Sequence, residues 1–253
     1  MVIEVKVEVK DLILNNSAVS AWRVFVLGCQ LFIHGFGAFW PVLVLSSGLG
    51  LAAAWSQMQG PVDQNASLAA TLVLSVVSAY FNIIVTLVCF NNLMQKRVSV
   101  GAAASTALGK LPLLLVVLVI SIAAMVLGIL LFVVPGLILM VTLLPAATLF
   151  IIRPMGPVEA VQKSHNLVWG CWFRAANIYS LFSVLVIVLL LPLVGLVVLV
   201  DLEGLTLLDQ MNLMSALVSP WISAGLAALN LVLCHDLLIR KDQQSLSEFA
   251  GVN

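Results

Sequence analysis

The stretch FVVPGLILMV, residues 132–141, decides how this chain folds. It lies inside a run, 111–152, that contains no Asp, Glu, Lys, Arg or His. Proline and glycine ordinarily end a helix, yet here they stand side by side with apolar residues on both flanks. As one straight helix the 42 residues of the run would extend roughly 63 Å at 1.5 Å per residue. That is twice the ~30 Å hydrocarbon thickness of a bilayer. A single kinked span cannot absorb it, whereas two spans fit, with a turn at Val134-Pro135-Gly136. Pro135 is expected to end the first helix because it lacks an N–H, and Gly136 to supply the permissive φ of a tight reversal. Pro145 predicts a kink about midway along the returning helix.

Composition points the same way. Of the 253 residues, 62% are hydrophobic and 9% charged, with a mean hydropathy of +1.18. Soluble domains carry roughly a quarter charged residues, and a water-soluble globule this apolar could not cover its surface. The long apolar runs predict helices, because lipid-exposed backbone must satisfy its own hydrogen bonds; a membrane barrel would need short alternating segments. The fold class expected is therefore an all-α integral membrane protein in one domain, 1–253. Net charge is zero, which implies no electrostatic pull toward nucleic acid. Cys29, Cys89, Cys171 and Cys234 form no metal-ligand spacing and read as free thiols used in packing.

Spans are expected at about 38–55, 67–90, 111–133, 136–152, 178–200 and 212–238, arranged as three hairpins. The N-terminal apolar run from Val24 to Trp55 is too long for one upright span. Asn16, Ser20, Arg23, Gln30 and His34 recur at offsets 0, 4, 7, 14 and 18, one polar stripe on a 3.6-residue helix. This predicts an amphipathic interfacial helix over 16–34 and an elbow at HGFG, 34–37, with Trp40 and Trp55 marking the ends of the first span. The alternative is one long tilted span with His34 inside it. Residues 1–15, which open MVIEVKVEVK, suit either a short amphipathic strand or a solvated terminus, and no cleavable leader is read there.

This map places all 11 Lys and Arg on one side of the membrane. The opposite loops, 56–66 and 201–211, carry Asp63, Asp201, Glu203 and Asp209 with no Lys or Arg. By the positive-inside rule both termini, including the tail 239–253, are expected in the cytoplasm. The cysteines fall near the same face, in keeping with reduced thiols. In the connector 153–177, Pro157 suits the first turn of a helix. Val158, Ala160, Val161, Ser164, Leu167, Val168 and Cys171 then share one side, with Glu159, Gln162, Lys163 and Asn166 on the other, up to a close near Gly170. A weaker version of the pattern covers 97–112. Amphipathic interfacial helices are thus expected before spans 1, 3 and 5, and the chain reads as three copies of helix plus hairpin.

One segment carries a resemblance. Val134-Pro135-Gly136, Pro145, Gly156 with Glu159-Ala160, Ser164 and Trp169-Gly170 together resemble the pattern of the YciC-like family of bacterial inner-membrane proteins. They are also similar to the membrane domain found beside some glycerophosphodiester phosphodiesterases. The match covers about 45 residues well and the rest in span number and spacing. The resemblance implies six spans and a bacterial inner-membrane location, and it implies little chemistry.

No HExxH, Walker loop, GxSxG or Cys/His cluster is present, so neither an enzyme nor a cofactor or metal site is read. His235-Asp236 could serve a metal or proton relay, or form an interfacial polar collar. Asn82 and Asn230 are polar at membrane depth; either could bind a substrate group or bond a neighbouring helix. No acid or base lies deep in a span, which argues against an ion-coupled pump. Glu159 and Lys163 stand at i, i+4. With Ser164, Trp169, Trp172, Arg174, Lys96 and Arg97 they are candidates for contact with lipid head groups or partner proteins, or else set topology alone. The outer DLEGLTLLDQ, 201–210, reads as a solvated loop or a weak cation site. The partners expected are membrane lipids and other membrane proteins. The function expected is non-enzymatic organisation of lipids or partners in the cell envelope through the interfacial helices; the alternative is a transporter or flippase for an apolar or lipid-like substrate.

Overall fold

A computed structural model describes residues 20–58, 64–94, 96, 99–200, 205–242 and 246–251. The described residues form nine helices and no strand: α1 Ala21–Met58, α2 Gln64–Leu93, α3 Val100–Leu131, α4 Val133–Leu143, α5 Ala146–Ile152, α6 Pro157–Val168, α7 Trp172–Val200, α8 Leu207–Asp242 and α9 Leu246–Ala250. Six stretches are long and apolar enough to cross a membrane, with α4 and α5 together making one of them, Val133–Ile152. The outer faces agree. Val119, Leu127 and Leu130 on α3 and Ile187, Leu189 and Leu191 on α7 are exposed, a surface that water would not tolerate and lipid solvates. The protein is a multi-pass membrane protein. Residues 1–19, the expected N-terminal segment with Asn16, and Arg97 lie outside the described residues.

α8 is the central rod. Every residue from Ala227 to Leu238 is buried, the polar Asn230, His235 and Asp236 among them. Its chief partner is α1, so the first and last spans pack together. The pair is antiparallel: Gly28 lies against Leu229, Gly50 faces Ala216, and the Ser47 hydroxyl donates to the Leu217 carbonyl at 2.9 Å while accepting from Trp221 Nε1 at 3.1 Å. This packing overrides the expected elbow. α1 is one 38-residue helix, about 57 Å long, and His34-Gly35-Phe36-Gly37 lie in its middle. Val24, Leu27, Leu31, Gly35, Phe39 and Leu43 form an unbroken buried stripe, whose packing outweighs the ~1 kcal/mol that each glycine costs in a helix. The long single span, not the interfacial helix over 16–34, is the form adopted.

The reversal in the 111–152 run is present but displaced. One residue, Phe132, is extended (φ −160°, ψ 141°) and ends α3; α4 starts at Val133. Pro135 therefore sits in the first turn of α4, where its missing N–H costs nothing. Gly136 is helical, so it is there for another reason than a turn. A Cβ on it would lie 2.3 Å from Ile129 Cγ1 and 2.7 Å from the Ile129 nitrogen. Its lack of a side chain lets α3 and α4 touch backbone to backbone. Further along, Lys110 Nζ donates to the Ile151 carbonyl of α5, so α3 and the returning stretch of α4 and α5 run antiparallel. Pro145 does interrupt the returning span: α4 stops at Leu143 and α5 resumes at Ala146.

The connector helix forms as the pattern predicts. α6 spans Pro157–Val168, and Gly170, at φ +88°, closes it. Ala160, Ser164, Leu167 and Val168 are buried, packed against α3, α4 and α5. The helix is docked into the protein's own spans. Among the described residues it is also the one separate helix that precedes a span: residues 100–112 are part of α3 itself, which continues through Pro112. The threefold helix-plus-hairpin pattern therefore holds for one copy among the described residues.

Candidate functional site

Two polar regions stand out, one inside the spans and one at their end. The first is an open cleft of about 530 Å³ between α2, α3, the Pro145 break and α8, within the ~300–1,000 Å³ typical of ligand pockets. Both intramembrane asparagines line it, together with Leu144, Ala147 and Thr148 from around the break. Residues 82, 145 and 230 are far apart in sequence, so their meeting here is a product of the fold. The Tyr179 hydroxyl, from α7, donates to Asn230 Oδ1 at 2.7 Å. Thr86 Oγ1 donates to the Asn82 carbonyl at 2.8 Å and lies 3.4 Å from its Oδ1. Both amide oxygens therefore face a donor from the chain. A second cleft of about 310 Å³ shares Leu74 and Ser78 with the first and continues past Ser46, Gln57 and Asn212. Among the described residues, no ionisable side chain lines either cleft.

The second region gathers charge where α8 ends. Asp236, its side chain 1% exposed, receives Arg174 Nε at 2.9 Å from α7 and Arg240 Nε at 3.1 Å from one turn along α8. Lys163 meets Asp242 at 2.5 Å. Lys241 Nζ donates to the Trp169 carbonyl at 2.7 Å and to the Asn166 carbonyl. It thereby covers the terminal oxygens of α6, which favour a cation. Phe249 of α9 lies under Arg153, 4.9 Å from the guanidinium carbon, and near Lys163. The Ser164 hydroxyl donates to the Thr142 carbonyl at 2.6 Å, and His165 Nδ1 lies 3.3 Å from Thr142 Oγ1. α6 is thus tied on one side to α8 and on the other to the last turn of α4, just ahead of Pro145.

These contacts reassign several residues. Glu159 Oε2 accepts from the Gly156 N–H at 3.3 Å, closing the first turn of its own helix. Its i, i+4 neighbour Lys163 turns to Asp242 instead. Ser164 is buried, Trp169 is exposed, and Trp172 stacks on Phe173 with ring centroids 4.2 Å apart. Lys96 is exposed in the α2–α3 link and touches neither region. Asp209 forms a reciprocal capping pair with Thr206, 3.1 and 3.2 Å, which accounts for it without a cation.

Sequence reasoning undervalued Asp236, which is a buried ion-pair centre; Arg240 at i+4 was the available signal. It passed over Thr142 and Thr148, although they and Ser121 are the only hydroxyl residues of the 111–152 run. Nothing local could have coupled Tyr179 to Asn230, 51 positions away. No family model, curated protein or solved structure matches this chain.

Proposed function

We propose that this membrane protein is non-enzymatic and takes a lipid-like amphiphile into the open cleft, as a transporter or flippase does. The observation that carries the reading is the convergence of Asn82, Asn230 and the Pro145 break on one open cleft. A polar group at membrane depth is costly, and a cavity that would leave it half-satisfied is more costly still unless something occupies it. The uncharged lining agrees with a substrate drawn from the bilayer and with the absence of ion coupling. The basic end of the bundle lies on the cytoplasmic side by the positive-inside rule. The likeness of residues 134–170 to the YciC-like family supports a bacterial inner membrane. The test is lipid retention. Wild-type protein and Ser78→Trp, which puts a bulky ring into the lining shared by both clefts, are purified from the same lipid and analysed by native mass spectrometry. Wild type is expected to keep a bound lipid that the variant loses; equal retention would sink the reading.

A second reading is organisation of lipids or partner proteins in the cell envelope through interfacial helices. Exposed Trp169 and Phe173, 54% and 76% accessible, favour it, since aromatic side chains settle at the membrane interface. Glu159 and Lys163, however, are engaged within the chain. Under this reading Trp169→Ala copurifies with fewer partners or lipids while Glu159→Ala behaves as wild type.

A further inference from the structure

The cleft has a donor-acceptor bias that its shape alone does not express. Asn230 is 5% exposed and Thr148 3% exposed, and both line the cleft. The Tyr179 bond occupies Asn230 Oδ1, and Thr86 faces Asn82 Oδ1. Among the described residues no partner meets the Nδ2 of either asparagine or the hydroxyl of Thr148. Two amide donors and a hydroxyl therefore stand without a partner on residues that line the cavity, while the Asn230 acceptor is already used. A donor that faces hydrocarbon without a partner costs about 1–3 kcal/mol, so a ligand that supplies acceptors is favoured in the cleft over bare hydrocarbon. Among the described residues, neither cleft offers a Lys, Arg or His to neutralise an anion, and an ionised group buried without a counter-charge is strongly disfavoured.

We infer that the cleft selects the uncharged, oxygen-bearing head of an amphiphile, of the acylglycerol ester type, and excludes phosphate-bearing lipids. Asn230 and Thr148 bind its oxygens, with Asn82 nearer the opening, and Tyr179 is a positioning residue that holds the Asn230 amide. This rests on the proposal that the cleft is a lipid-like ligand's site, and it names the ligand class.

The test uses full-length protein in nanodiscs and two photoreactive lipids with the same diazirine-bearing acyl chains, a diacylglycerol and a phosphatidylglycerol. Labelled peptides are mapped by mass spectrometry in wild type, Asn230→Leu and Thr148→Val. Wild type is expected to label at the cleft with the diacylglycerol, about fivefold over the phosphatidylglycerol. That preference should shrink in both variants. Thr148→Val keeps the side-chain volume, so it stands as the arm whose folding is safe should Asn230→Leu misfold. Equal labelling of the cleft by both lipids, unchanged in Thr148→Val, overturns the head-group inference and leaves lipid binding in the cleft intact. Preference for the phosphatidylglycerol overturns it as well. Labelling by neither lipid at the cleft overturns this inference together with the proposal beneath it.

Discussion

The two ends of the Pro145 break are built on opposite rules. On the side of α6, polar groups meet one another: Ser164 with the Thr142 carbonyl, Lys163 with Asp242, Arg174 and Arg240 with Asp236. On the side of the cleft, Thr148 and the Nδ2 groups of Asn82 and Asn230 stand without a partner among the described residues. The paired region carries full charges, the unpaired region none. The difference follows from solvation. A buried charge requires a partner or several kcal/mol are lost, so charges gather where partners are. A neutral amide or hydroxyl costs far less, and it can be held open for a ligand. The densely bonded end thus reads as scaffold, and the sparsely bonded cleft as the place where something binds.

The strongest way to break this comparison is at Asp236. Asp236→Ala leaves two guanidinium groups around an apolar hole and is expected to destabilise the fold by ~3 kcal/mol, measured by denaturant unfolding in detergent micelles. Wild-type stability in that variant would mean the cluster is not scaffold. Gly136→Ala forces a methyl into Ile129 and is expected to cost about 1–3 kcal/mol, read from the thermal midpoint. Ser164→Ala removes the donor to the buried Thr142 carbonyl, and a loss of about 1–2 kcal/mol is expected; a smaller effect would weaken the claimed tie between α6 and the break. Lys163→Ala touches a pair about one-third exposed on each side, so 1 kcal/mol or less should be lost, and less still in high salt. Thr148→Val closes the series at the cleft. Its stability should equal or exceed that of wild type, since an unpartnered hydroxyl gives way to a methyl of the same size, while its lipid labelling changes, the reverse of what Ser164→Ala should do.

The number of spans and their approximate positions were legible because hydropathy and length act locally. A run of twenty apolar residues has one solvent it can accept, whatever its neighbours do. The connector helix was legible for a similar reason: Pro157 starts it, Gly170 ends it, and the alternation between them repeats every 3.6 residues. The elbow expected at 34–37 does not form because the stripe Leu31, Gly35, Phe39 and Leu43 packs continuously, which outweighs the weak helix preference of two glycines. The turn near Pro135 was placed two or three residues late, for Gly136 serves packing and Phe132 makes the reversal.

What this sequence settled alone was its solvent, its helical class and which segments cross, since each depends on composition within a few turns. What only the tertiary structure decided was the pairing of α1 with α8, the burial of Asp236 between two arginines, and the gathering of residues 82, 145, 148 and 230 around one cleft. Those arrangements depend on contacts between side chains many tens of residues apart, and no local periodicity encodes which helix faces which.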